Sequence, residues 1–439
     1  MSDPAGPPAG RVASPAPAGT SSMGKLVALM ITAFIDMVGL LMVIPLLPFY
    51  AKSLGAGGLV VGLLISSFAI AQLVSAPIWG RFSDKYGRRP ALLVGLTASA
   101  IAYVVFAYAD SLWLLFLSRL VQGAGGGTVS VIQAYVADAV KPEERAKGLG
   151  WLSAATNAGV ALGPVLGSLS LGAGKHTPGL LAASLCVVNI AFAWRFLEES
   201  RDASDAAHAR RPGRSREAVL RVATHPTEPA SRLIWMYAIG MGAFQGSNAV
   251  LALFLSARYG VTAKTIGFFY MYTGIVSVLT RAGILGRAVD RYGEARLSRL
   301  GQLLLAMGLL ALPLSPHLPG ADQVAAMLRG EAGAHPAGVL SFVPLALAVG
   351  LLPLGTAFTF PCVTALLSRV IPSYERGLYM GVQQTFGGIA RVLFPIVAGF
   401  LFDRAVGLPY YIASALVLGS MWFGIGMERY QEPGAPQPS

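Results

Sequence analysis

Charge is what this sequence has least of. Asp, Glu, Lys and Arg make up 12% of its 439 residues, where a soluble chain carries roughly 25%. Cysteine is scarcer: Cys186 and Cys362 are the whole complement, and both lie inside apolar runs, so neither a disulfide framework nor a thiolate metal site is expected. The five histidines (His176, His208, His225, His317, His335) all fall in polar connecting segments. No His, Cys or paired-carboxylate constellation reaches an apolar run, so an enzyme and a metal centre are not expected. Gly123-Ala124-Gly125-Gly126-Gly127 lies inside an apolar run and lacks the Lys-Ser/Thr ending of a phosphate-cradling loop. No other ATP site appears, so direct drive by ATP is not expected. The basic residues are not interleaved with aromatics, which argues against nucleic acid as a partner. A water-soluble enzyme, a secreted disulfide scaffold and a disordered chain are ruled out together.

What the chain has instead is apolar length. Hydrophobic residues make up 54% of it. Runs long enough to cross a bilayer as helices fall at about 25–50, 57–79, 90–109, 111–137, 147–172, 178–196, 232–257, 264–286, 296–316, 339–366, 374–401 and 406–427. The fold class expected is an all-α membrane protein with twelve transmembrane helices. Its domain plan is a disordered tail (1–22), a six-helix half (23–196), a polar linker (197–231), a second six-helix half (232–428) and a short tail (429–439). Residues 1–22 are rich in Pro, Ala and Gly; the first apolar run is too long for a signal peptide, and no small-residue cleavage site follows. With both termini cytoplasmic, inside segments hold 24 of the 33 basic residues and outside loops hold 6, a clear positive-inside bias. The net charge of +12 thus reads as a topology signal.

The two halves repeat. Gly80-Arg81-Phe82-Ser83-Asp84-Lys85-Tyr86-Gly87 recurs as Gly286-Arg287-Ala288-Val289-Asp290-Arg291-Tyr292-Gly293. Pro142, Arg145, Gly150 and Pro164 are echoed by Pro372, Arg376, Gly381 and Pro395. Both copies of each element lie on, or run from, the same side, so the halves are parallel six-helix repeats, an architecture that places a site near mid-membrane between them.

Four segments carry a resemblance. Gly80 to Arg89, between runs 2 and 3, resembles the signature loop of the major facilitator transporters. Arg119-Leu120-Val121-Gln122-Gly123 is similar to that superfamily's intramembrane arginine motif. Gly159, Gly163, Pro164 and Gly167 resemble the motif associated with its antiporters. The segment from Asp36 to Pro45 and Pro48 resembles the drug/proton antiporter branch, tetracycline exporters included. The resemblance implies a cytoplasmic gate of Gly80, Asp84, Gly87, Arg88, Asp138 and Asp290. In it Asp84 caps the start of helix 11 near Tyr374, and Arg88 bridges Asp84 to Asp138. Glu294 and Ala295 replace Arg88 and Arg89 in the second copy, so a weaker gate is expected there.

Of 21 acidic residues, Asp36 alone falls well inside a run, while Asp138 and Asp403 lie at helix ends. A carboxylate at mid-membrane costs about 2.5–3.5 kcal/mol on insertion scales, so Asp36 is the candidate proton carrier, with Arg119 as its counter-charge. A purely structural Asp36–Arg119 pair stands as the other reading. Arg391 either attracts an anionic group or holds its own half together. Arg281, near the end of run 8, is expected to snorkel to the interface. Further cavity candidates are Gln122, Gln133, Asn157, Gln245, Asn248, Tyr270, Phe358 and Gln384, each with interhelical bonding or packing as its plainer role.

The function expected is export of small amphipathic compounds in exchange for protons, with no cofactor beyond the proton gradient. The partners expected are the small-molecule substrate, protons and the lipid bilayer, and the chain is expected to be a monomer in a bacterial inner membrane. A metabolite exporter or uniporter of the same fold, and a transporter-like receptor or scaffold, are the alternatives.

Overall fold

The computed structural model describes residues 22–126, 128–139, 144–197, 199, 213–315, 343–372 and 374–430. The N-terminal tail to residue 21, much of the linker, His208, His317, His335 and the last residues from 431 lie outside them. The helices are α1 (Ser22–Val43), α2 (Leu47–Ser53), α3 (Gly58–Tyr86), α4 (Arg88–Ala107), α5 (Leu112–Gly125), α6 (Thr128–Ala139), α7 (Arg145–Ser170) and α8 (Thr177–Phe196). Then come α9 (Gly213–Thr224), α10 (Pro229–Tyr259), α11 (Ile266–Leu279), α12 (Leu285–Tyr292), α13 (Glu294–Leu314), α14 (Val343–Val370), α15 (Arg376–Arg404) and α16 (Leu408–Ser420). No strand occurs among the described residues.

Lipid offers backbone groups no hydrogen-bond partner, so apolar runs must satisfy them internally as helices. Among the described residues ten helices, with α1–α2 and α11–α12 each taken as one jointed helix, are long and apolar enough to span. Leu112–Gly125 and Leu408–Gly424 are apolar but shorter, and they take the fourth and twelfth places. Local chemistry sets the joints. Pro45 lacks an N–H and its ring crowds the preceding turn, which ends α1 at Val43. Pro48 then sits in the first turn of α2, where a missing N–H costs nothing. Between α11 and α12 the chain forms a π-turn, Thr280–Ile284.

The linker contributes a helix that hydrophobic length alone does not reveal. α9 buries Ala218 and Val222 against α10, α14 and α15, and Val222 O accepts from Trp235 Nε1 at 3.2 Å. Glu228 accepts from Arg221 at 3.0 Å, and that carboxylate holds the Arg221 pKa above its ordinary value.

The apolar core divides by half and by end. Two large clusters belong to the first half and two to the second. At the end away from the Gly80–Arg89 loop, here the far end, they interlock. Leu46 sits in the second half's cluster and Leu253 in the first's.

Backbone contact seals that far end. A Cβ at Gly62 of α3 would lie 2.2 Å from the Pro395 carbonyl oxygen of α15, and one at Gly267 of α11 would lie 2.3 Å from that of Pro164 on α7. The two contacts are related by the internal repeat. Ser66 Oγ donates to Val392 O at 2.6 Å. Ser168 Oγ accepts from Gly267 N at 2.9 Å and donates to Ala263 O at 2.8 Å. Asp403, at the end of α15, accepts from Gly58 N at 2.6 Å and Leu59 N at 2.8 Å. A carboxylate thus caps the positive start of α3 from the opposite half.

The loop end is different. A Cβ at Gly80, Gly150, Gly286 or Gly381 would meet nothing within 4 Å, and Tyr374 is 77% exposed. The halves touch at the far end and diverge toward the loop end.

Asp403→Ala is expected to shift the conformational equilibrium several-fold toward an open far end, about 1 kcal/mol for a lost charge-assisted bond at a partly exposed site. Gly62→Leu should shift it further, because no side chain fits against Pro395. Distances between spin labels across the far end read both; unchanged distances would show that neither contact holds the seal.

Candidate functional site

Packing against α7 fixes where α1 presents its one acidic residue. Gly159, Gly163 and Gly167 meet the carbonyls of Phe34, Val38 and Met42, a four-residue rhythm on both helices that lets the backbones approach closely. Asp36 lies within this register and faces a cavity of about 860 Å³ between the halves. Its other walls include Gln133 from α6, Ser153 and Asn157 from α7, and Arg281 from the π-turn after α11. A second chamber of about 480 Å³ is lined by Gln72, Gln133, Gln384 and Arg391. Gln133 lines both, so the chambers adjoin.

Asp36 is 6% exposed, and Thr128 Oγ1 donates to its Oδ2 at 3.0 Å. Arg119 does not supply the expected counter-charge: among the described residues no ion pair joins the two. Arg119 is 2% exposed and turns into its own half. Its Nε donates to Ser118 Oγ at 3.4 Å, its guanidinium stands 5.7 Å from the Phe106 ring centroid, and its Nη2 has no hydrogen-bond partner. Tyr103 lies within electrostatic range of both charges.

Of the cavity candidates, Gln133, Asn157, Gln384 and Arg391 line the chambers. Gln122 does not: it is buried and donates to Tyr103 Oη at 2.6 Å. Phe358 packs with Leu297 and Cys362 inside the second half. Tyr270 packs on the far-end core and donates to Asn248 O at 3.4 Å, while Gln245 is half-buried on α10; none of these three lines either chamber. Arg281 corrects the expectation of snorkelling, because it lines the same chamber as Asp36. The signal missed was the π-turn, whose extra residue re-aims everything around it and which recurs at functional positions.

At the loop end Arg88 bonds Asp84 at 3.0 Å and Asp138 at 3.1 Å. The carboxylate that caps a helix start here is Glu199, which accepts from Arg88 N at 2.8 Å and Arg89 N at 3.1 Å and so caps α4. Gly87 is required twice over: its φ is +101°, and a Cβ would lie 2.3 Å from Glu199 Oε2. The second half keeps the clamp with its signs exchanged, since Glu294 pairs with Arg369 where the first half pairs Arg88 with Asp138. Among the described residues the second half thus has one ion pair at the place where the first has two on Arg88. Asp290 lies on an exposed stretch of α12.

The model of the Major Facilitator Superfamily matches residues 29–333. The chain is 24% identical to Multidrug resistance protein 2 of Bacillus subtilis over 398 residues, covering 89% of this chain and 92% of that protein. It is 27% identical to the class C tetracycline resistance protein of Escherichia coli over 409 residues, covering 90% and 95%. Among solved structures, the nucleoside transporter NupG superposes with a TM-score of 0.69 at 14% identity, covering 92% of this chain and 99% of that one. The human organic anion transporter MFSD10 gives 0.63 at 22%, covering 92% and 100%.

Tyr103→Phe is expected to lower unfolding stability by about 1–3 kcal/mol, because it strands the buried Gln122 amide. Gln133→Ala, on the cavity wall, should stay within about 0.5 kcal/mol of the parent. Thermal unfolding in detergent measures both, and equal losses would erase the distinction between packing and cavity residues.

Proposed function

Since the chain belongs to the Major Facilitator Superfamily, and is a transporter and not an enzyme, we propose that it exchanges protons for small amphipathic compounds and so exports them. The observation that carries this is Asp36: among the described residues lining the two chambers it is the one carboxylate. Its described hydrogen bond is from the neutral Thr128 hydroxyl, and among the described residues no cation pairs with it. Relatives named for multidrug and tetracycline resistance support a drug-like cargo and the outward direction. That the relatives are bacterial supports an inner membrane. The distribution of Lys and Arg supports a loop end and both termini facing the cytoplasm, which makes this conformation inward-open.

The cycle follows from competition at one carboxylate. Inside, substrate entering from the loop end displaces the proton from Asp36. The far end then opens while the loop end closes, and outside a proton displaces the substrate. Each proton moving inward down 100 mV supplies about 2.3 kcal/mol, enough to drive uphill export. One chain contains the whole cavity, so a monomer suffices.

Purified protein in liposomes with an internal pH dye is to be challenged with tetracycline, cationic dyes and phenicols. Asp36→Asn is expected to lower substrate-driven proton flux at least about tenfold, the scale of a lost essential proton carrier, while folding persists. Full flux in Asp36→Asn would move the coupling site elsewhere. Labelled uptake without proton flux in the parent would make the protein a uniporter.

A further inference from the structure

Arg281 is a cation without a described partner. Among the described residues it makes no hydrogen bond and no ion pair. The nearest carboxylate on its own helical run, Asp290, is nine positions on, roughly 13 Å along the axis at 1.5 Å per residue. Glu294, the next acid, is engaged by Arg369. Arg281 is exposed to the cavity it lines, an arrangement that in membrane proteins marks a substrate or ion pathway, and no residue described on these walls bonds its guanidinium. Asp36 lines the same chamber but comes from the opposite half. The second cavity arginine, Arg391, is only loosely held: it donates to Gly387 O at 3.3 Å and Gln384 Oε1 at 3.4 Å. The backbone around Arg281 forms the π-turn Thr280–Ile284, and its side chain lines the cavity.

We infer that Arg281 is the counter-ion for an anionic group on the transported compound, and that the compound is a zwitterion whose basic group faces Asp36. This rests on the exchange reading above and names the substrate class for the same cavity. A guanidinium presents a planar fork of donors that fits a carboxylate, sulfonate or phosphate side-on. The two charged ends of the cargo then contact opposite halves, Arg281 in the second and Asp36 in the first. Binding therefore ties the halves together across the cavity.

The test uses norfloxacin, a fluorescent zwitterion, and its methyl ester, which keeps the amine and loses the carboxylate. Binding to detergent-solubilised protein is followed by fluorescence. The parent is expected to bind norfloxacin at least about tenfold more tightly than the ester, the worth of one charge-assisted contact. Arg281→Gln should bring the two within about twofold, and Arg281→Lys, which keeps the charge but not the fork, should restore part of the preference. Equal binding of acid and ester by the parent, no binding of norfloxacin by the parent, or a preference that survives Arg281→Gln would each overturn the inference. The parent and the lysine variant keep the test decisive should Arg281→Gln fail to fold. An Arg281-dependent preference without norfloxacin-driven proton flux in liposomes would uphold the inference and sink proton exchange instead. Ethidium-driven flux with no acid–ester preference would do the reverse.

Discussion

The organisation of this molecule depends on how closely two pairs of backbones approach at the far end. Gly62 against Pro395 and Gly267 against Pro164 leave no room for a Cβ on either glycine. Four helices from both halves are thereby brought together on one side of the cavity. Helices joined so tightly at one end can separate only at the other, and the chambers lined by Asp36, Arg281 and Arg391 consequently open toward the loop end. Asp403 adds an electrostatic latch to this steric seal. It places a carboxylate of one half on the helix start of the other, where the partial positive charge of unpaired N–H groups favours it.

The loop-end charges do a separate job. Arg88 with Asp84 and Asp138, Glu199 on the start of α4, and Glu294 with Arg369 each act inside one half. Pairs in which one partner stays largely in solvent contribute modestly to stability, about 0–1 kcal/mol each. Their worth is geometric, because they tie the foot of one helix to the foot of the next and let each half move as a body. The exchange of signs between halves makes the same point: polarity can be reversed so long as the pair survives. The resemblance led to a cross-half cap by Asp84 at the loop end. A cross-half cap stands at the opposite end as well, on Asp403.

Hydrophobic length made the helical fold legible, because a run of twenty apolar residues has few other fates in lipid. The repeat was legible for a similar reason, since glycines and charges at loop positions keep their spacing. What the sequence could not show was facing. Asp36 and Arg119 look like natural partners on adjacent crossings, yet Arg119 turns toward Phe106 and Ser118 inside its own half. Arg281 looks like a snorkelling end residue until the π-turn shifts its azimuth. Asp403 was visible as an acid at a helix end, but its partners are more than 340 positions away along the chain. Gln122 and Phe358 carry the right chemistry for a cavity and lie on faces that packing has claimed. In each case one turn of helix decides the matter, and hydropathy does not fix a turn.

The sign of the proposed coupling follows from which charges share the chamber. With Asp36 ionised, Asp36 and Arg281 balance; with Asp36 protonated, the guanidinium stands alone. A purely anionic compound would therefore bind best to the protonated form and would travel with the proton, not against it. A purely cationic compound would compete with the proton at Asp36 but would leave Arg281 unpaired and repelled. Only a cargo with both signs satisfies the arginine and still has to evict the proton. Exchange, in a chamber with one acid from one half and one arginine from the other, thus selects for zwitterions on electrostatic grounds alone. The same arrangement explains why neither charge is neutralised by a fixed partner. A permanent counter-ion at either position would remove the competition on which the proposed exchange of proton for substrate depends.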